Sequence, residues 1–140
     1  MLDVSNRVFS NVMIYVQERY PDVEFNNTVS AIPESLPAVS VRTLDDREMA
    51  IDLSQGDPDE DYTIDSNVEI QVYSAKSTEE ARKIIKAACD AMRGMSYTRN
   101  FGPTEIPLGY DANQYRCVAR FQRIVSGLDE IPKFNTTGGN

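Results

Sequence analysis

The chain has no histidine and no tryptophan, and only two cysteines among its 140 residues. Without histidine, the commonest general base and the commonest transition-metal ligand are both gone. Ser-His-Asp and Cys-His catalysis are thereby excluded, so any enzyme built on this chain would have to run on carboxylates, lysine or tyrosine. Cys89 and Cys117 stand far apart and in no CxxC pattern, which gives zinc no support. Both read as small core residues, Cys89 on an apolar helix face and Cys117 on a strand face with Ala119 and Phe121. No apolar run approaches the ~20 residues needed to cross a bilayer, and no membrane partner is expected. Met1-Leu2-Asp3 is not a basic segment leading into an apolar stretch. The expectation is a protein that works in the cytoplasm or in a particle assembled there. No cofactor is expected.

What the sequence does have is charge, unevenly placed. Residues 1–70 carry 4 basic and 15 acidic side chains, a balance of −11, while residues 71–140 carry 10 basic and 7 acidic, a balance of +3; together they give the net −8. An acidic half and a mildly basic half suit complementary subunit faces, although a solvated surface of uneven charge fits the same counts. Tight nucleic-acid binding is disfavoured, because phosphate contacts require a concentrated basic patch. Hydrophobic residues make up 41% of the chain, too many for a disordered polymer, and the length fits one domain.

Apolar periodicity lays out the elements. Val4, Val8, Val12, Val16 and Tyr20, with Phe9 and Met13 beside them, predict a helix over 4–20 with Asp3 as its N-cap and Pro21 as its stop. Arg7, Asn11, Gln17 and Glu18 fall off that apolar face. Val23 and Phe25 suggest a short edge strand, followed by a loop through Pro33 and Pro37. Alternation in 38–44 and again in 49–54, with Asp45-Asp46 between, predicts a hairpin. After a polar loop, residues 62–74 read as a long strand with Val68, Ile70 and Val72 on its buried face and Glu69, Gln71 and Tyr73 on its wet face. Ser77-Thr78-Glu79-Glu80 is a capping box. It opens a helix with Ala81, Ile84, Ile85, Ala88, Met92 and Met95 on its apolar face, Arg82, Lys83, Lys86 and Arg93 on its wet side, and Gly94 near its end. A strand interrupted by Gly102-Pro103 and a last strand over 115–125 follow. The predicted fold is α+β, a mostly antiparallel sheet with two main helices on one face. It forms a single domain over 1–126 with a flexible tail over 127–140.

The sharpest local pattern is Asp57-x-Asp59-x-Asp61-x-Thr63-x-Asp65, the oxygen spacing of a calcium loop. Tyr62 occupies the position that needs glycine, and Val68 the position of the bidentate glutamate, so calcium is not expected. The bland reading is a solvated acidic loop between strands. The sharper one makes Asp57, Asp59, Glu60 and Asp61 an acidic surface used against a partner. Arg116 and Arg120 on the last strand are candidates to contact acids of a neighbouring subunit, or simply keep that face wet. Asn26-Asn27-Thr28 and Asn135-Thr136-Thr137 match the glycosylation sequon by chance.

Taken together, the parts have a familiar layout. An N-terminal amphipathic helix precedes the block Ser66-Asn67-Val68-Glu69-Ile70-Gln71-Val72-Tyr73-Ser74-Ala75-Lys76-Ser77. That block leads into Glu79-Glu80-Ala81-Arg82-Lys83-Ile84-Ile85, then Met95-Ser96-Tyr97-Thr98-Arg99. The closing strand is Tyr115-Arg116-Cys117-Val118-Ala119-Arg120-Phe121-Gln122-Arg123-Ile124-Val125. Over roughly residues 1–126 this resembles the tail terminator (tail completion) and minor capsid proteins of long-tailed bacteriophages. The likeness is one of layout, without a single diagnostic motif. It implies an α+β subunit of a virion, assembled in the host cytoplasm as a six-membered homo-oligomeric ring. Such a ring caps the tail tube protein, meets head–tail connector proteins and lets DNA through without specific binding. Asp57, Asp59, Glu60 and Asp61 would then be lumen or interface candidates, alongside Arg116 and Arg120. The family has no catalytic residues to carry over. Other readings stay open: a different connector or neck ring, a small intracellular protein-binding module, or a carboxylate-dependent hydrolase.

Overall fold

The computed structural model describes residues 4–26, 37–44, 47–49, 63–106, 114–126 and 130–134, with the backbone alone at 47–49. Helix α1 spans Val4–Arg19. Its four valines, Val4, Val8, Val12 and Val16, are all buried. Valine is a mediocre helix former because its branched Cβ loses rotamer freedom, at about 0.5 kcal/mol each. Burial of a valine side chain is worth about 2 kcal/mol. Packing therefore outweighs propensity several-fold, and α1 is a helix because it has a sheet to lie on.

Strands β1 (Glu24–Asn26), β2 (Ala38–Thr43), β3 (Arg47–Met49) and β4 (Thr63–Ser74) come next. Helix α2 (Thr78–Gly94) then leads to β5 (Thr98–Glu105) and β6 (Tyr115–Val125). The sheet order is β1-β2-β4-β6-β5, with β3 also beside β4. Only β1 and β2 pair in parallel; the other pairings are antiparallel. The fold is α+β, with both helices packed on one face of a mostly antiparallel sheet. Helix α2 is the crossover of a β4-α2-β5 unit whose two parallel strands are separated by β6, a split βαβ arrangement.

The expected hairpin between 38–44 and 49–54 does not form. Strands β2 and β3 both pair antiparallel with β4, so they run in the same direction along one of its edges. Strand β4 is 12 residues long, enough to take both. The register slips by one residue between them, from Thr43 opposite Val68 to Arg47 opposite Asp65, which is the count of a bulge. The chain therefore keeps its direction from β2 to β3. The antiparallel partner of β3 is β4 itself, and residues 50–54 of the expected strand lie outside the described residues.

One face of each central strand supplies the core. Val39 and Val41, Val68, Ile70 and Val72, and Cys117, Ala119, Phe121 and Val125 meet α1 and the apolar stripe of α2. All six residues read as that stripe, Ala81, Ile84, Ile85, Ala88, Met92 and Met95, are buried. The Ser77 hydroxyl accepts from the amide of Glu80 at 3.0 Å. The return half of the box differs: Glu80 Oε1 accepts instead from the Ser74 hydroxyl at 2.6 Å, which ties the helix start to the end of β4. Ser77→Ala is expected to cost about 1 kcal/mol, read as a fall of about 3 °C in the melting temperature. An unchanged melting temperature would mean that the Glu80–Ser74 link alone holds this terminus.

The packed part of the chain runs on past residue 126, where a flexible tail was expected. Ile131 is buried, and Phe134 packs against the core. The reason is Asn11, which sits among the valines of α1 and is 1% exposed, although periodicity leaves it off the apolar face. Its Nδ2 donates to the Pro132 carbonyl at 2.6 Å, and its Oδ1 accepts from the Phe134 amide at 2.9 Å. Arg7 donates to the Ile131 carbonyl at 3.1 Å, and Arg123 to the carbonyls of Met95 at 2.6 Å and Glu130 at 3.3 Å. A Cβ on Gly94 would approach the Phe134 ring to 3.2 Å, so the glycine at the end of α2 also makes room for this segment.

Candidate functional site

Two surface features stand out. The first is the sheet face turned away from the helices. Its centre is Glu69, which is 3% exposed although it was expected on the wet face of the long strand. Strand register explains the burial: Arg42 on β2 and Arg120 on β6 are its direct cross-strand neighbours, one on each side. Arg42 Nη2 donates to Glu69 Oε1 at 2.9 Å, and Arg120 Nε donates to Oε2 at 2.9 Å. Gln71 Nε2 adds a bond to Oε1 at 2.6 Å, and the Tyr73 hydroxyl donates to Gln71 Oε1 at 2.8 Å. A file of polar side chains thus runs along β4 and is clamped from both flanks. Burial works to raise the Glu69 carboxyl. The hydrogen bonds from Gln71, Arg120 and Arg42, with the charge of Arg42, outweigh it and hold the pKa below its ordinary value of 4.5. Both carboxylate oxygens are engaged and the group stays ionised, which suits a strand clasp and not proton transfer.

Around this clasp lie apolar side chains. Ile124 is 51% exposed and Phe101 38%, with the Arg120 guanidinium 5.0 Å from the centre of the Phe101 ring. Gln122 ties β6 to Asp65 at 2.6 Å. A polar face with exposed apolar residues at its edge has the composition of a protein-contact surface.

The second feature is a groove of about 740 Å³ between α2 and β5. Arg82, Lys86, Asp90 and Arg93 line its helix side, Arg99, Thr104 and Glu105 its strand side, and Cys89 and Cys117 its floor. Arg82 pairs with Glu105. Both thiols are pushed above their ordinary value of 9.0, chiefly by burial; near Cys89 the Arg99 side chain opposes the rise, and near Cys117 Glu105 adds to it. They are protonated, unreactive core thiols. Strand β5 keeps its place beside the groove through Gly102, whose φ of +75° suits glycine, and a Cβ there would collide with the Val118 carbonyl oxygen. Among the described residues no helix is long and apolar enough to cross a membrane, and no cluster of three or more acidic, cysteine or histidine side chains is placed to hold a metal.

Of the residues singled out by sequence, Arg120 is in the clasp, committed to Glu69 of its own chain. Arg116 is half-buried opposite Tyr73 and borders a small depression with Thr78, Glu105 and Gln114. Asp57, Asp59, Glu60 and Asp61 lie outside the described residues. Sequence reasoning missed Glu69 and Asn11. The signal for Glu69 is a pair of arginines at matching register on both neighbours, visible only once the strand pairing is known. No protein-family model matches the chain, and no curated protein matches it in sequence.

Proposed function

We propose that this protein is a structural component of a long-tailed phage particle, a tail terminator whose copies form a ring that closes the tail tube and joins it to the head. What supports the reading is the order of parts behind the likeness to that family. An N-terminal amphipathic helix and a long central strand lead through a capped helix to a closing strand, all in one small α+β domain. The site chemistry is in keeping with it. The ionised residue at the centre of the sheet face is spent on holding three strands together, and apolar side chains stand exposed beside it. In this role the protein contacts its own copies, the tube protein and the connector proteins, while DNA passes through without specific binding. It has no catalytic function, and it needs neither cofactor nor membrane. Another connector or neck position is the nearest alternative, and a small intracellular module that docks one protein partner is the alternative of a different class.

Native mass from light scattering over a wide concentration range, with negative-stain images of the same samples, separates these readings. The expected result is a mass well above the 15.7 kDa of one chain, with closed rings that have a central hole. A monomer at every concentration that captures a single soluble partner favours the binding module.

A further inference from the structure

The groove between α2 and β5 is rimmed by more positive charge than its surroundings neutralise. Arg82 is paired with Glu105 across it. Lys86, Arg93 and Arg99 have no ion-pair partner among the described residues, and Asp90 is the one further acid on the rim. Three cations around one concavity are notable in a chain whose net charge is −8. Long-range attraction of that kind recruits an acidic, extended segment more readily than a compact neutral one.

The chain itself contains a strongly acidic segment. Residues 57–61, Asp57-Pro58-Asp59-Glu60-Asp61, carry four acids in five positions. They belong to the connection between β3 and the central strand β4, whereas the groove is at the β5 edge. An acidic segment and a basic groove on one chain are the unlike surfaces that a head-to-tail contact joins between successive copies, and a closed ring results when the rotation closes.

We infer that the α2–β5 groove is the receptor for the acidic 57–61 segment of a second copy of this chain. Lys86, Arg93 and Arg99 receive the carboxylates, and the apolar stems of these residues with the Cys89 and Cys117 floor receive the rest. The inference rests on the self-association part of the reading above and names its contact. Arg120 has no part in this contact, because it is already bound to Glu69 within its own chain.

The test uses a fluorescent peptide spanning residues 55–62, titrated against the full chain, so it needs no ring and no phage partner. Four receptors are compared: the natural sequence, a chain with its own segment neutralised (D57N, D59N, E60Q, D61N), and the groove reversal K86E/R93E made on each of these two. These positions are exposed on a helix surface, and the melting temperature of each variant is read alongside to verify folding. The expected result is salt-sensitive binding by the natural and the neutralised chains, weakened at least about tenfold by K86E/R93E, as loss of complementary charge requires. A peptide carrying the four neutral substitutions should not bind. Two results overturn the inference. Binding by the neutralised chain alone means that the groove is filled by the segment of the same chain. No binding, or binding indifferent to K86E/R93E, means that the groove does not receive this segment. Either failure leaves the phage reading standing, because rings imaged by electron microscopy would then be held by another contact.

Discussion

Glu69→Ala is expected to destabilise the protein by about 3 kcal/mol at neutral pH, a fall of about 10 °C in the melting temperature for a chain of this size. The loss is large because of what remains. Arg42 and Arg120 stand on either side of the vacated position, and without the carboxylate two guanidinium groups face each other across a strand with no acid between them. Gln71 Nε2 loses its acceptor as well. Glu69→Gln keeps the shape and one acceptor oxygen, and is expected to recover part of the loss. The effect has a pH signature. Folding lowers the Glu69 pKa from 4.5, so the folded state binds fewer protons there than the unfolded chain does. Its contribution is therefore complete above about pH 4.5 and is lost as the pH falls through the lower folded value. The gap between the natural protein and Glu69→Ala should be constant near neutrality and narrow in acid. A change in melting temperature under about 2 °C at pH 7 would mean that the clasp is a surface ion pair of the ordinary weak kind.

The second large effect is at Asn11. Asn11→Ala removes the buried side chain that satisfies both the Pro132 carbonyl and the Phe134 amide. Stranding two backbone groups costs about 1–3 kcal/mol each where they are shielded from solvent, so a total near 3 kcal/mol is expected. A packing account and a hydrogen-bonding account part ways at Asn11→Leu. If Asn11 only fills space, leucine should restore stability. If it latches the segment 130–134, leucine should be as damaging as alanine, and proteolysis should start after residue 126 in both variants. Retained resistance to protease in Asn11→Ala would show that Ile131 and the Arg7 and Arg123 contacts hold the segment without it.

Much of this fold was legible because it rests on local periodicity. The valine stripe of α1, the capping box at Ser77 and the alternation of β6 each state their element in a few residues, and all depend on neighbours three, four or two positions away. What was not legible depends on pairing between distant segments. Nothing in 38–54 distinguishes a strand that folds back on its predecessor from one that continues along a third strand, because the alternation is the same; only the length of β4 decides. Glu69 looks like any solvent-facing strand glutamate until Arg42 and Arg120 are placed opposite it. Asn11 breaks the apolar stripe, and its two backbone partners are more than a hundred positions away, in a stretch whose composition resembles a tail. The groove has the same history. Lys86 and Arg93 were read as the wet side of an amphipathic helix, which they are, and only the placement of β5 with Arg99 turns that side into a concavity.

The central proposal is that the protein closes a tail tube. The most direct measurement is electron microscopy of purified tail tubes after incubation with the purified protein. The account predicts a ring of added density at one end of each tube and an arrest of further growth at that end. Tubes whose ends stay bare and continue to lengthen at saturating protein would contradict it.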